Sequence, residues 1–204
     1  MTDITAAMVK TLREMTGAGF NDCRTALQET GGDMDKAADY LRKKGIATAA
    51  KKAGRSAEDG IIQTYMHHNG RLGVLVEVNS ETDFVARNDS FKAFAKELAL
   101  HIANLAPRYI TREEIPAELA AKEREVLLAR TIEEGKPANV AEKIVEGRMA
   151  KWYEELALMD QVWLHDDNKK VKEVLTDLIA EIKENIVIRR FARFALGEEE
   201  SNGA

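Results

Sequence analysis

The run from Leu72 to Val78 alternates in apolar character and leads straight into Asn79-Ser80-Glu81-Thr82-Asp83-Phe84-Val85-Ala86-Arg87. A short apolar run of this kind reads as a buried strand. Behind it, Phe84, Phe91, Phe94, Leu98, Ile102 and Leu105 recur at helical spacing. Ser80 and Asp83 have the S-x-x-[DE] spacing of a capping box, which starts the helix at Asp83 and carries it to about Ala106, before Pro107. The chain must therefore turn a tight strand-to-helix corner here, and such a corner is a rigid mount for side chains. The spacing leaves two readings of Phe84. It is either the first core residue of the helix or a side chain presented at the tip, next to an Asp83 that favours the positive end of the helix dipole.

Upstream, residues 1 to about 45 read as three short helices. Ile4, Met8, Leu12 and Met15 make one apolar stripe of the first. Thr16-Gly17-Ala18-Gly19 breaks it, and a second helix runs from about Asn21 to Glu29, ended by Gly31-Gly32. Asp33 caps a third, carrying Ala37, Ala38 and Leu41 and stopping near Gly45. Three short helices of this kind resemble the ubiquitin-associated fold. From Arg42 to Ala57 the charges are all basic (Arg42, Lys43, Lys44, Lys51, Lys52, Arg55) up to the final Ala57. No aromatic residue is interleaved to stack on bases, so the stretch reads as a solvated helical extension and linker, with a boundary near residue 54.

Gly60 to Met66 and Arg71 to Asn79 then form two strands joined by His67-His68-Asn69-Gly70, where Asn-Gly signals a hairpin. The adjacent histidines point to opposite faces of a strand, which argues against a metal site. Beyond Pro107 the pattern predicts a short turn at Thr111, a helix from about Pro116 to Glu134, and another from Lys136-Pro137 to about Leu156. Leu158 to Asp166 reads as irregular or briefly extended, and Lys169 to Lys183 as a last helix. Ile186 to Leu196 is a strand with Ile186, Ile188, Ala192, Phe194 and Leu196 on one face and Val187, Arg189, Phe191 and Arg193 on the other. The expected fold is α+β: a three-helix ubiquitin-associated-like module over 1–54, a three-stranded antiparallel sheet packed with helices over 55–197, and a disordered tail over 198–204.

Composition narrows the function. A net charge of −5 and a pI near 5.5 argue against a general nucleic-acid binder. The lone Cys23 excludes an internal disulfide and fits a reducing cytoplasm. No apolar run approaches a membrane span, and Met1-Thr2-Asp3-Ile4-Thr5 lacks the basic and apolar regions of a signal peptide, so a cytoplasmic protein with no membrane partner is expected. There is no phosphate-binding G-x-x-x-x-G-K-[ST] loop, no G-x-G-x-x-G, no G-x-S-x-G elbow and no metal-ligand spacing. No cofactor, no metal and no enzymatic activity are expected, and the chain should bind no nucleotide itself.

Two stretches carry a family resemblance. Glu77-Val78-Asn79-Ser80-Glu81-Thr82-Asp83-Phe84-Val85-Ala86-Arg87 resembles the second signature of bacterial elongation factor Ts. Leu12-Arg13-Glu14-Met15-Thr16-Gly17-Ala18-Gly19-Phe20-Asn21-Asp22-Cys23-Arg24-Thr25-Ala26-Leu27 resembles its N-terminal signature, with Arg24 where the family usually has lysine and Phe20 where it often has methionine. Residues 138 to 160 and 183 to 197 are similar too, so the likeness covers nearly the whole chain, in the short single-core form. The resemblance implies a guanine-nucleotide exchange factor that binds elongation factor Tu·GDP, dislodges Mg²⁺ and promotes GDP release. It implies that Thr82, Asp83, Phe84 and Val85 meet the partner and disturb its Mg²⁺ network, with Phe84 inserting as a wedge. Arg13, Gly19 and Phe20 would dock the helical module on the GTPase, although Phe20 is equally readable as a staple between the first two helices. The same resemblance implies a homodimer paired through the sheet, which would cover the face of Phe191. The competing reading is a ubiquitin-associated-like binding module that recruits some other protein or RNA.

Overall fold

The computed structural model describes residues 4–135 and 137–198; the expected tail beyond Glu198 and the opening Lys136 of the second long helix lie outside the described residues. Three helices come first. Helix α1 (Ala6–Thr16) begins where the Thr5 hydroxyl accepts from Met8 N–H and ends where Gly17, at φ 69°, donates to the Arg13 carbonyl. Helix α2 spans Phe20–Glu29, and α3 spans Met34–Lys52, capped by Asp33 accepting from Lys36 N–H at 3.1 Å. Val9, Leu12, Cys23, Ala26, Leu27, Ala37 and Leu41 form their shared core. Two expectations change. Met15 is 58% exposed, because the side of α1 that packs inward carries buried Val9 and Leu12 with partly buried Ile4 and Met8. Helix α3 does not stop at Gly45; the helical extension expected after it continues the same helix to Lys52. Gly45 is buried, and a β-carbon there would stand 3.3 Å from Ala180 Cβ, so the glycine serves close packing rather than termination.

Strands β1 (Asp59–Met66), β2 (Leu72–Ser80) and β5 (Ile186–Ala195) form an antiparallel sheet in the order β1-β2-β5. His67 N–H bonds the Leu72 carbonyl at 2.8 Å across the hairpin, and Gly70 takes the left-handed conformation that Asn-Gly foretold. In central β2, Val74, Val76 and Val78 are buried. In β5 the alternation buries Ile186 and Ile188 but leaves Phe194 62% exposed, while Phe191 is half-buried; the aromatic displayed at this end is Phe194, not Phe191.

The expected helix from Asp83 to Ala106 is two helices. A single turn, α4 (Asp83–Ala86), is followed by α5 (Asp89–Leu105). The break falls at Arg87-Asn88 because the Asn88 side chain accepts from Ser90 and Phe91 N–H, starting a new helix with its own cap. Thr82, not Ser80, caps α4; the Ser80 hydroxyl donates to the Thr82 carbonyl at 2.9 Å.

Helices α6 (Ala117–Glu133) and α7 (Ala138–Leu156) pack on each other, pinned near their connection by Arg148 donating to Thr131 and Glu134. The segment expected to be irregular or briefly extended does hold a short strand, β3 (Val162–Trp163), which pairs antiparallel with β4 (Asp166–Lys170), and α8 (Val171–Ile182) starts two residues later than the periodicity suggests. Buried Asp160 accepts from Arg112 and from Lys172, the second at 3.0 Å, and these cations hold its carboxyl below the usual carboxylate range against the opposing effect of burial. The chain forms two compact units. One is built from described residues within Met1–Ile62, Glu77–Ala95 and Glu173–Arg189, the other from Gln63–Val76, Lys96–Lys172 and Arg190 onward.

Candidate partner-binding site

The corner between β2 and α5 falls wholly within the first unit. Thr82 is extended (φ −135°, ψ 155°) and its Oγ1 accepts from Val85 N–H at 3.4 Å, which turns the chain into α4. The turn then sorts its side chains. Val85 and Ala86 are buried beneath it, Asp83 lies exposed in a 2.7 Å pair with Arg87, and Phe84 projects with 80% of its surface open. This resolves the two readings of Phe84 left by its spacing: the core of the following helix begins at Phe91, and Phe84 is outside it. An exposed phenylalanine withholds about 2 kcal/mol of burial energy from the fold, energy that remains for a contact elsewhere.

The corner is braced from below by two carboxylates. Glu184 accepts from Thr82 twice, from its N–H at 3.1 Å and its hydroxyl at 2.9 Å. Glu81 accepts from Asn185 N–H at 2.7 Å and from Arg55 at 3.3 Å, and the first of these bonds holds its carboxyl below the usual carboxylate range. Asn185 also donates its side-chain amide to the Arg55 carbonyl at 2.8 Å.

The α1–α2 connection carries the other candidates. Arg13 sits exposed in the last turn of α1, and Gly19 opens α2 with no side chain to cap it. Phe20 follows at 49% exposure, outside the buried core shared by α1, α2 and α3. Cys23, one turn further, is buried in that core; burial raises its thiol above the usual range, which suits a packing residue rather than a reactive one. Asp22 accepts from Lys44 of α3 at 2.8 Å and, beyond the three helices, from Lys183 at 3.4 Å. These cations, Lys44 first, hold its carboxyl below the usual range.

The model of the family described as "Elongation factor TS" matches residues 46–198, from within α3 to the end of the described chain. The chain belongs to the elongation factor Ts family. It is 55% identical to elongation factor Ts of Geobacter sulfurreducens and to that of Carboxydothermus hydrogenoformans, in each case over 96% of this chain and 90% of the other. It is 54% identical to elongation factor Ts of Caldanaerobacter subterraneus subsp. tengcongensis over 96% of this chain and 98% of that one. As a member of the elongation factor Ts family the chain is a translation elongation factor. The family match contains the whole Thr82–Val85 corner, whereas α1 and α2 lie before it and are covered only by the alignments to whole relatives.

Sequence reasoning singled out Thr82, Asp83, Phe84 and Val85 and missed the residues that hold them. Glu184 and Asn185 are about a hundred residues away, in the connection between α8 and β5, and nothing in their local sequence marks them. Arg55 was read as part of a solvated basic run, yet it pairs with Glu81; Arg42 and Lys44 of the same run pair with Glu173 and Asp22. Among the described residues no group of His, Cys, Asp and Glu is arranged to hold a metal, and no helix is long and apolar enough to cross a membrane.

Proposed function

We propose that this member of the elongation factor Ts family is a guanine-nucleotide exchange factor: it binds elongation factor Tu·GDP, displaces Mg²⁺ and speeds GDP release. One observation carries the reading. Within the matched region, an aromatic side chain stands 80% exposed on a braced single turn whose next two residues, Val85 and Ala86, are buried. Phe84 enters the GTPase as a wedge, with Thr82, Asp83 and Val85 setting the turn that delivers it. Arg13, Gly19 and Phe20 dock the helical module of residues 1–54 on the same partner. The protein performs no covalent chemistry and works in the cytoplasm, where its partner is.

The mechanism is a shift of populations. A protein that binds the nucleotide-free GTPase more tightly than the GDP-bound form must, by reciprocity, weaken GDP binding by the same factor. Each tenfold of weakening needs about 1.4 kcal/mol of differential binding. Burying Phe84 in the partner supplies about 2 kcal/mol, and loss of Mg²⁺, which neutralises the phosphates, adds to it. Pairing of two copies through the sheet is part of the same reading, supported by exposed Met66, Phe194 and Leu196 at one end of the strands.

The test is release of fluorescent GDP from elongation factor Tu, with wild type and with Phe84→Ala. Acceleration by wild type that a folded Phe84→Ala loses supports the reading. Failure of the wild type to accelerate release ends it.

A further inference from the structure

Three consecutive residues between α8 and β5 grip three separate places in the first unit. Lys183 has φ 67°, a left-handed conformation that a lysine adopts at some cost; its N–H closes α8 on the Ile179 carbonyl at 2.9 Å, and its ammonium reaches Asp22 on α2 at 3.4 Å. That conformation swings the chain out of the helix so that Glu184 meets Thr82 and Asn185 meets Glu81 and the Arg55 carbonyl. The two stretches that carry the family resemblance, around Asp22 and around Thr82, are thus both tied to one corner.

Glu184 makes the most directed of these contacts. Helix α4 has only four residues, too few to sustain itself, so its geometry depends on how its first residue is held. Every polar group of Thr82 is engaged. Its carbonyl accepts from Ser80, its N–H and hydroxyl donate to the two Glu184 oxygens, and its Oγ1 accepts from Val85 N–H. A carboxylate that accepts two donors side by side fixes rotation as well as distance. Directing the Thr82 hydroxyl hydrogen toward Glu184 also leaves an Oγ1 lone pair for Val85 N–H, the bond that starts the turn. Without Glu184, the hydroxyl rotor and the Thr82 backbone are freed, and Phe84, two residues on, loses a defined direction.

We propose that Glu184 is a positioning residue for nucleotide exchange, holding Thr82 by its N–H and hydroxyl so that Phe84 is presented ready-placed to the GTPase. This rests on the reading of Phe84 as the side chain that enters elongation factor Tu. Glu184 need not touch the partner; it lowers the ordering cost of binding.

The experiment compares wild type, Glu184→Ala, Glu184→Gln, Phe84→Ala and the Glu184→Ala/Phe84→Ala double variant. It reads the half-saturating concentration for GDP release and the affinity for nucleotide-free elongation factor Tu. Glu184→Ala should weaken both by roughly three- to tenfold, the equivalent of one hydrogen bond's worth of preorganisation. Glu184→Gln should stay within about twofold of wild type, since one oxygen still accepts from Thr82 N–H and the amide can donate to Thr82 Oγ1. In the Phe84→Ala background, Glu184→Ala should cost less than about twofold, because its effect acts through Phe84. Amide exchange at Thr82 and Val85 should quicken in Glu184→Ala and recover in Glu184→Gln. A Glu184→Ala protein that matches wild type overturns the proposal, and so does a loss that persists undiminished without Phe84. A wild type that releases no GDP overturns the exchange reading itself, an outcome distinguishable from either of these.

Discussion

Acid should unfold this protein through His101. The ring is fully buried on α5, stacked on Trp163 at 5.2 Å between centroids. Its Nδ1 accepts from Leu164 N–H at 3.2 Å, so Nε2 carries the proton and donates to Gln161 Oε1 at 3.0 Å. Gln161 in turn donates to the Glu155 carbonyl at 2.9 Å. A second proton would have to sit on Nδ1, against an N–H that already points at it. Burial lowers the pKa of His101 from 6.5 to about 4, opposed by the Gln161 bond and assisted by nearby His165. The folded state holds the ring neutral, while the unfolded chain takes up a proton below pH 6.5. Stability is therefore complete above that value, falls as pH drops, and stops falling once the folded ring is protonated too. With these two values, linkage predicts a loss of about 0.8 kcal/mol at pH 6, about 2 kcal/mol at pH 5 and about 3 kcal/mol at pH 4. The carboxylates held low, Asp22, Glu81 and Asp160, lose their contributions only as pH falls through and below the ordinary carboxylate range, so most of the window belongs to the histidine. Urea unfolding followed by circular dichroism at half-unit steps from pH 7.5 to 4.5 measures the slope. His101→Gln, whatever its stability at pH 7, should be flat between pH 7 and 5. A flat wild-type profile, or a variant that falls in parallel with it, would refute the argument.

Three further outcomes follow from single positions. Phe84→Ala should change folding stability by less than about 0.5 kcal/mol, measured by thermal melting. It should still weaken association with elongation factor Tu by roughly 30-fold, the equivalent of about 2 kcal/mol of lost burial. Gly60→Ala should destabilise by more than about 3 kcal/mol, because Gly60 has φ 143° and an added β-carbon would lie 2.2 Å from the Val78 carbonyl oxygen; a melting temperature within a degree of wild type would contradict this. Gly45→Val should cost about 1–3 kcal/mol by overpacking against Ala180, read as a lowered urea midpoint with an unchanged slope.

The elements whose signals are local were legible in the chain itself. The Asn-Gly hairpin, the Asp33 cap, the Val74–Val76–Val78 face and the Phe91–Phe94–Leu98–Ile102 stripe each follow from periods and turn chemistry that operate within a few residues. The misreadings occurred where two local signals competed. Asn88 restarted a helix that the apolar spacing would have continued, and Thr82 rather than Ser80 took the cap, since either can accept from a following N–H. Gly45 reads as a stop in any window, yet close packing against Ala180 overrides the propensity cost.

What the sequence alone determined is the α+β order of elements and the two stretches around Phe20 and Phe84, because both are written in contiguous residues. Tertiary structure alone decided that Phe84 is outside the core and what holds it there. Helical spacing counts only angles around one axis, and it cannot show that the axis breaks at Asn88 and leaves the first aromatic on a separate turn. Glu184 and Asn185 reach that turn only because Lys183 bends the chain out of α8, and the hydrogen bonds they make join residues about a hundred positions apart, a distance across which no local pattern carries information.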